Sequence, residues 1–78
     1  MSSPISENRK HLNNLAQPRR WQVNYIFTVR GPTHAPVWHS DVYVNNSCLG
    51  SGTGPTKPAA MESAAGIALR ALGVLGVR

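Results

Sequence analysis

A glycine-rich stretch followed by a lysine, LGSGTGPTKPAAMESAAG, spans residues 49–66 and has the composition of a loop that could bind an anion. A phosphate-binding P-loop needs lysine directly after its last glycine, but here two residues separate Gly54 from Lys57. The dinucleotide pattern G-x-G-x-x-G also fails, because Pro55 stands in place of the third glycine. The sequence therefore argues against a nucleotide site and leaves a helix start that carries one lysine.

This helix start still has features that attract an anion. Thr56 is a good N-cap, and Pro58 is tolerated in the first turn, where N–H groups lack helical acceptors. The free amides of a helix N-terminus carry partial positive charge, to which Lys57 adds a full charge. A backbone phosphate is the natural ligand, although an ordinary capped helix with a solvated lysine explains the same residues.

No catalytic or metal-binding arrangement is evident. The carboxylates of Glu7, Asp41 and Glu62 are scattered over different predicted elements, and no histidine is placed to activate Cys48 or Ser51. One cysteine allows neither an internal disulfide nor a cysteine-rich zinc site. We expect no enzymatic activity, no metal, no cofactor and no small-molecule substrate.

The composition describes a small basic chain. It has 78 residues, eight Lys and Arg against three Asp and Glu, and a formal net charge of +5. One domain over residues 1–78, with its core at about 4–73, is expected, and the charge favours a polyanionic partner. The polar N-terminus and the short, interrupted apolar run at residues 67–77 predict an intracellular protein without membrane contact, cytoplasmic or nuclear.

Hydrophobic periodicity predicts the elements that position these residues. A first helix is expected over residues 5–17, ended by Pro18. Alternating side chains predict strands near residues 24–30 and 37–44 and a short third strand at 48–53. Between the last two, the asparagine pair NN predicts a tight hairpin turn, because asparagine tolerates positive φ.

A second helix is expected after Thr56 and is ended by Gly73 and Gly76. The order α-β-β-β-α predicts an α+β fold, a three-stranded antiparallel sheet with two helices packed on one face. On the second helix, the predicted buried face holds Ala60, Ala64, Ile67, Ala68 and Ala71, and the predicted exposed face holds Glu62, Ser63 and Arg70.

Four segments in register resemble the double-stranded RNA-binding domain family: LNNLAQ, GPTHAPVW, GSGTGPTK and AAMESAAGIALRAL. The resemblance implies sequence-tolerant binding of duplex RNA, in which helix one and the first interstrand loop enter successive minor grooves. The start of helix two would span the phosphates between them, giving a footprint of about 16 base pairs. The eight matching residues, here called the candidate RNA surface, are Lys10, Asn14, Gln17, Pro32, Thr33, His34, Thr56 and Lys57.

The chain departs from the family pattern at the start of helix two. The family usually offers three lysines there, whereas Pro58 and Met61 stand at two of those positions. Each lost phosphate contact should remove about one unit of salt dependence. Arg19 and Arg20 either compensate for this loss or only solvate a loop.

The lost lysines support a second hypothesis, a protein-interaction module of the same fold with little RNA binding. Some family members dimerise, so the partner would be a second copy or another double-stranded RNA-binding domain protein. The candidate dimer surface comprises Ile26 and Tyr43, on the sheet face away from the helices, and Cys48 on the third strand. That strand is predicted to be a free edge, able to pair with another chain.

Overall fold

The computed structural model describes residues 7–73, which form a helix, three strands and a second helix. These are α1 (Glu7–Arg19), β1 (Val23–Arg30), β2 (Val37–Val44), β3 (Ser47–Gly54) and α2 (Lys57–Ala71). The sheet is antiparallel in the order β1-β2-β3. The predicted α-β-β-β-α fold is therefore confirmed. Between residues 7 and 73, neither helix is long and apolar enough to cross a membrane.

The end of α1 differs from the prediction. Pro18 lies inside the helix, which continues to Arg19. The chain then reverses at Arg20, whose φ is +59°, while the Trp21 N–H donates to the Ala16 carbonyl at 3.0 Å. This left-handed closure satisfies the last helical carbonyls, so the turn rather than the proline ends the helix. The predicted first two helical residues, 5 and 6, lie outside the described part of the chain.

The β2–β3 hairpin follows the predicted turn chemistry. Asn45 and Asn46 have φ values of +51° and +70°, as a two-residue hairpin turn with two left-handed positions requires. The side-chain oxygen of Asn45 also accepts the Gln22 N–H at 2.9 Å, which ties the turn to the start of β1. β3 is eight residues long, one residue longer at each end than predicted, and is therefore not short.

The alternating glycines of β3 let α2 lie against the sheet. A Cβ added at Gly50 would be 2.5 Å from the Ala64 carbonyl oxygen and 2.8 Å from the Ala68 nitrogen. Gly52 and Gly54 face α2 with comparably little space. These three glycines, which lie in the stretch that resembled a phosphate loop, therefore allow α2 to pack closely on β3. A side chain at any of them would collide with the backbone of α2.

A second face of α2 packs against α1, and this changes which side chains are buried. Gly66 lies beside Asn8, and Leu12 and Leu69 are fully buried in the common core. Glu62, predicted to be exposed, is only 8% exposed because it points towards α1. Ile67, predicted to be buried, is 40% exposed. The burial of α2 is therefore two-sided, whereas the prediction assumed one apolar stripe.

The sheet face away from the helices carries a small hydrogen-bonded cluster. Ser51 donates to the Asp41 carboxylate at 2.6 Å, and the His39 Nε2–H donates to the same oxygen at 2.8 Å. The Ser51 bond first, and then the His39 bond, hold the pKa of the Asp41 carboxyl below its ordinary value. These residues are cross-strand neighbours of the candidate dimer surface, because Asp41 pairs with Ile26.

The lowered pKa of Asp41 gives the stability of the fold a pH dependence. A carboxyl with a depressed folded-state pKa stabilises the fold above its unfolded pKa of about 3.9 and loses this effect as pH falls through the folded value. Wild type should therefore melt at a higher temperature than Asp41→Asn at pH 6, and the gap should shrink below pH 4. Thermal unfolding monitored by circular dichroism measures this, and a gap that stays constant at low pH would contradict it.

Candidate nucleic-acid interface

The exposed face of α1 presents polar side chains around a shallow depression. Lys10 and Asn14 line this depression together with Glu7, Asn8 and His11. Gln17, one turn beyond Asn14, is also exposed. The three predicted α1 residues therefore share one accessible face, on which amide and ammonium groups offer hydrogen bonds of the kind that 2′-hydroxyls and phosphates accept.

The buried carboxylate of Glu62 holds the start of α1 in position. Its oxygens accept the backbone N–H groups of Asn8 at 2.6 Å and of Arg9 at 3.2 Å. The Arg9 Nε lies 3.5 Å from the same carboxylate. A residue on α2 thus caps the N-terminus of α1, where negative charge is favoured by the unpaired amides. This capping fixes α1, and with it the exposed Lys10 and Asn14, relative to α2.

The hydroxyl of Tyr25 is buried at the same junction without a hydrogen-bond partner among the described residues. Burial raises the pKa of this hydroxyl, while the positive charge of Arg9 opposes the rise and the charge of Glu62 adds to it. Tyr25 packs against the core, while Glu62 accepts the hydrogen bonds that join α2 to the start of α1.

Removal of the Glu62 carboxylate should destabilise the domain. Glu62→Ala leaves two α1 amides without their acceptor and the Arg9 guanidinium without its ion-pair partner. We expect a loss of about 2–3 kcal/mol in the free energy of unfolding. Urea denaturation measures this value. The neighbouring exposed residue supplies a control, since Ser63→Ala should change stability by less than about 0.5 kcal/mol. Equal effects of the two substitutions would contradict the capping role.

The loop between β1 and β2 forms a turn that presents two residues of the candidate RNA surface. The Ala35 N–H donates to the Pro32 carbonyl at 3.0 Å, which makes Thr33 and His34 the central residues of a β-turn. Gly31 enters this turn with a φ of +93°, which favours glycine. Pro32, Thr33 and His34 are all exposed, so the turn forms an accessible tip.

The start of α2 has the predicted cap but few free amides. The Thr56 hydroxyl oxygen accepts the Ala59 N–H at 3.2 Å, and Pro58 has no N–H to offer. The expected attraction of an anion to unpaired first-turn amides is therefore weaker than predicted. No acidic side chain lies in the first turn, so the Lys57 ammonium is the principal positive charge at this end.

The Lys57 side chain lies over an aromatic ring of β1. Its Nζ is 4.4 Å from the centroid of Phe27, within the range of a cation–π contact. Phe27 is half-buried, and Lys57 remains exposed. The lysine is therefore accessible to a ligand while one side of its ammonium group faces the ring. This contact links α2 to the strand that leads into the His34 turn.

Two other basic side chains have local partners. The Arg19 guanidinium lies 5.5 Å from the Trp21 ring centroid and donates to the Leu15 carbonyl at 3.0 Å. At one of the positions where the family carries lysine, Met61 contacts the Arg9 guanidinium at 3.9 Å through its sulfur. Arg19 therefore stabilises the end of its own helix, and Met61 belongs to the α1–α2 contact.

The candidate RNA surface is divided among three elements. All eight residues are exposed, and within residues 7–73 no hydrogen bond or ion pair joins one of the three regions to another. The contact of Phe27 with Lys57 and the capping of α1 by Glu62 were not predicted from the sequence. The same part of the chain contains no cluster of three or more His, Cys, Asp or Glu side chains suited to a metal ion.

Comparisons with known proteins agree with this architecture. The profile of a family described as double-stranded RNA binding motif matches residues 9–72. Among solved structures, the chain is similar to the solution structure of both dsRBDs of DRB4 along with their linker, at 26% sequence identity and a TM-score of 0.70. This match covers 97% of the present chain and 50% of the other, so the chain spans half the length of that structure. A search of curated proteins gave no match.

Proposed function

Because this chain belongs to the double-stranded RNA-binding domain family, as its sequence predicted, we propose that it binds duplex RNA through the candidate RNA surface. The α1 face would lie in one minor groove and the His34 turn in the next. Lys57 would contact the phosphates between them. Such a surface reads the shape of an A-form helix rather than its bases, because only the shallow minor groove is accessible to side chains.

The accessibility and charge of Lys57 are the observation on which this proposal depends. Lys57 is exposed and lies over Phe27, which precedes Gly31 by four residues, or about 13 Å along an extended strand. This supports a common side for the lysine and the His34 turn. Charge supports it as well, because Asp41 lies on the opposite sheet face and Glu62 is buried, leaving Glu7 as the exposed acid near the surface.

A binding comparison of matched duplexes tests the proposal. Duplexes of RNA, DNA and an RNA–DNA hybrid with one sequence, each about 20 base pairs long, exceed the ~16 base-pair footprint. We expect RNA to bind at least tenfold more tightly than DNA, with the hybrid between them. Equal affinity for all three would leave only charge attraction. Titrations at about 50 and 200 mM salt estimate the number of phosphate contacts. Each contact should lower RNA affinity roughly three- to fourfold between these two salt concentrations.

A second function, association with another copy or another domain of this family, is favoured by the outer sheet face. Ile26 is 53% exposed there, and Tyr43 pairs across the strands with Cys48, which is also exposed. β3 is an edge of the sheet, with eight residues available for strand pairing. Dimerisation through this surface would leave the candidate RNA surface free and could add avidity.

Analytical ultracentrifugation over micromolar to hundred-micromolar concentrations tests this second function. Self-association should appear as a concentration-dependent rise in sedimentation coefficient. Ile26→Lys, which puts a charge in the apolar part of the surface, should return the protein to monomer. A strict monomer throughout would contradict homodimerisation.

A further inference from the structure

The contact between Lys57 and Phe27 joins residues thirty positions apart in the chain. Phe27 faces the helices from β1, and Lys57 is the first residue of α2. The 4.4 Å separation of Nζ from the ring centroid is closer than the 5.5 Å separation in the Arg19–Trp21 pair. The shorter contact therefore involves the one lysine of the candidate RNA surface that lies at the start of α2.

A lysine side chain is flexible, and a phosphate contact requires its ammonium group to be held at one place. The face of a phenylalanine ring attracts the cation without using a directional hydrogen bond, so the N–H donors that point away from the ring stay available. Ordering of the side chain before binding reduces the entropy lost when the phosphate is bound. The geometry of the contact is therefore that of a support, with Lys57 still exposed.

We propose that Phe27 is a positioning residue, whose ring holds the Lys57 ammonium at the place where it binds an RNA phosphate oxygen. This inference rests on the proposed function, since it assigns Phe27 a role at that site. The ring contributes no contact with RNA of its own. It also gives one reason why a single lysine can serve where the family usually has three, because a pre-positioned lysine binds more tightly than a free one.

A double-mutant cycle on RNA affinity tests the role of the ring. Phe27→Leu should weaken duplex RNA binding two- to fivefold, which is about 0.4–1 kcal/mol at 1.4 kcal/mol per tenfold. Phe27→Tyr retains the ring and should bind within twofold of wild type. With Lys57→Gln already present, Phe27→Leu should have no further effect, because the two residues act through one contact.

Two readouts separate positioning from a structural role. Phe27→Leu keeps the charge, so it should leave the salt dependence unchanged, whereas Lys57→Gln should reduce it by about one unit. In wild type, the ring should shift the Lys57 ε-methylene proton resonances upfield, and duplex RNA should leave that shift in place. This spectroscopic test does not depend on whether Phe27→Leu folds.

Three results would overturn the inference. The first is tighter RNA binding by Phe27→Leu than by wild type. The second is an equal loss of RNA affinity when Phe27→Leu is introduced into wild type and into the Lys57→Gln variant. The third is disappearance of the upfield shift of the Lys57 resonances when RNA binds. Each of them would leave duplex RNA binding by the wild type intact. If wild type fails to discriminate RNA from DNA, the proposed function fails, and the role of Phe27 at that site fails with it.

Discussion

Replacement of Lys57 by glutamate is expected to lower affinity for duplex RNA about 100-fold, and replacement by glutamine about tenfold. Glutamine removes one phosphate contact, and glutamate adds repulsion from the phosphates on both sides of the major groove. Lys57→Gln should also lower the slope of log affinity against log salt by about one unit. Titration of a labelled RNA duplex at several salt concentrations measures both effects.

A matched control uses the other end of the same helix. Arg70 is exposed in the last turn of α2, so Arg70→Gln makes the same change in net charge away from the candidate RNA surface. It should lower affinity by less than about twofold, through long-range attraction alone. If Arg70→Gln and Lys57→Gln weaken binding equally, RNA is attracted by net charge, and Lys57 has no particular role.

Replacement of Gly50 by alanine should strongly destabilise the domain. The added Cβ would be 2.5 Å from the Ala64 carbonyl oxygen and 2.8 Å from the Ala68 nitrogen, and helix backbone cannot rotate away. We expect a loss of about 3 kcal/mol or more, which lowers the melting temperature of a domain of this size by roughly 12–24 °C. Thermal and urea unfolding of the purified variant measure the loss.

Gly73 allows the same substitution without the steric conflict. A Cβ at Gly73 has no atom within 4 Å, although its φ of +74° is unfavourable for alanine. Gly73→Ala should therefore cost about 1 kcal/mol, from the backbone alone. Comparable losses at Gly50 and Gly73 would contradict the steric role of Gly50, whose φ lies outside the left-handed region.

Local sequence signals predicted most of the fold. The alternating side chains of VWHSDVYV gave β2 its observed bounds, because one face of that strand is buried and the other accessible. The two asparagines specified the hairpin turn through their tolerance of positive φ. Both signals depend on neighbouring residues only. The end of α1 was misplaced because the helix continues through Pro18 to Arg19 and is closed by the left-handed residue Arg20.

Burial on α2 could not be predicted in the same way. Ala64 faces the glycines of β3, while Glu62 and Gly66 face α1, so the helix is covered on two sides. A single apolar stripe describes a helix with one covered side. Glu62 therefore appeared to be solvent-facing, and the charge that caps α1 was missed. The burial of Glu62 can be predicted only when it is known that α1 packs beside α2.

The candidate RNA surface was predicted from the family resemblance. The residues that contact it from other elements, Phe27 beside Lys57 and Glu62 beneath α1, were not predicted. Exposure of Lys10, His34 and Lys57 is what the family pattern implies. The partner of Lys57 depends on how the start of α2 crosses the sheet, so nothing near Phe27 in the sequence indicates it. Candidate ligand-binding residues can thus be proposed from motifs, whereas the residues that contact them from other elements are found only in the tertiary structure.

The cap on α1 has a consequence for the order of folding. Its acceptor, Glu62, is 53 and 54 residues beyond the two amides that it binds. A nascent chain must therefore be synthesised as far as Glu62, the sixth residue of α2, before this cap on the first helix can form. The two hairpins precede Glu62 in the chain and have the opportunity to form earlier. A contact over so long a separation costs more loop-closure entropy than the contacts of a hairpin, which favours its formation after the hairpins. The candidate RNA surface should therefore reach its final geometry last, when the two helices join.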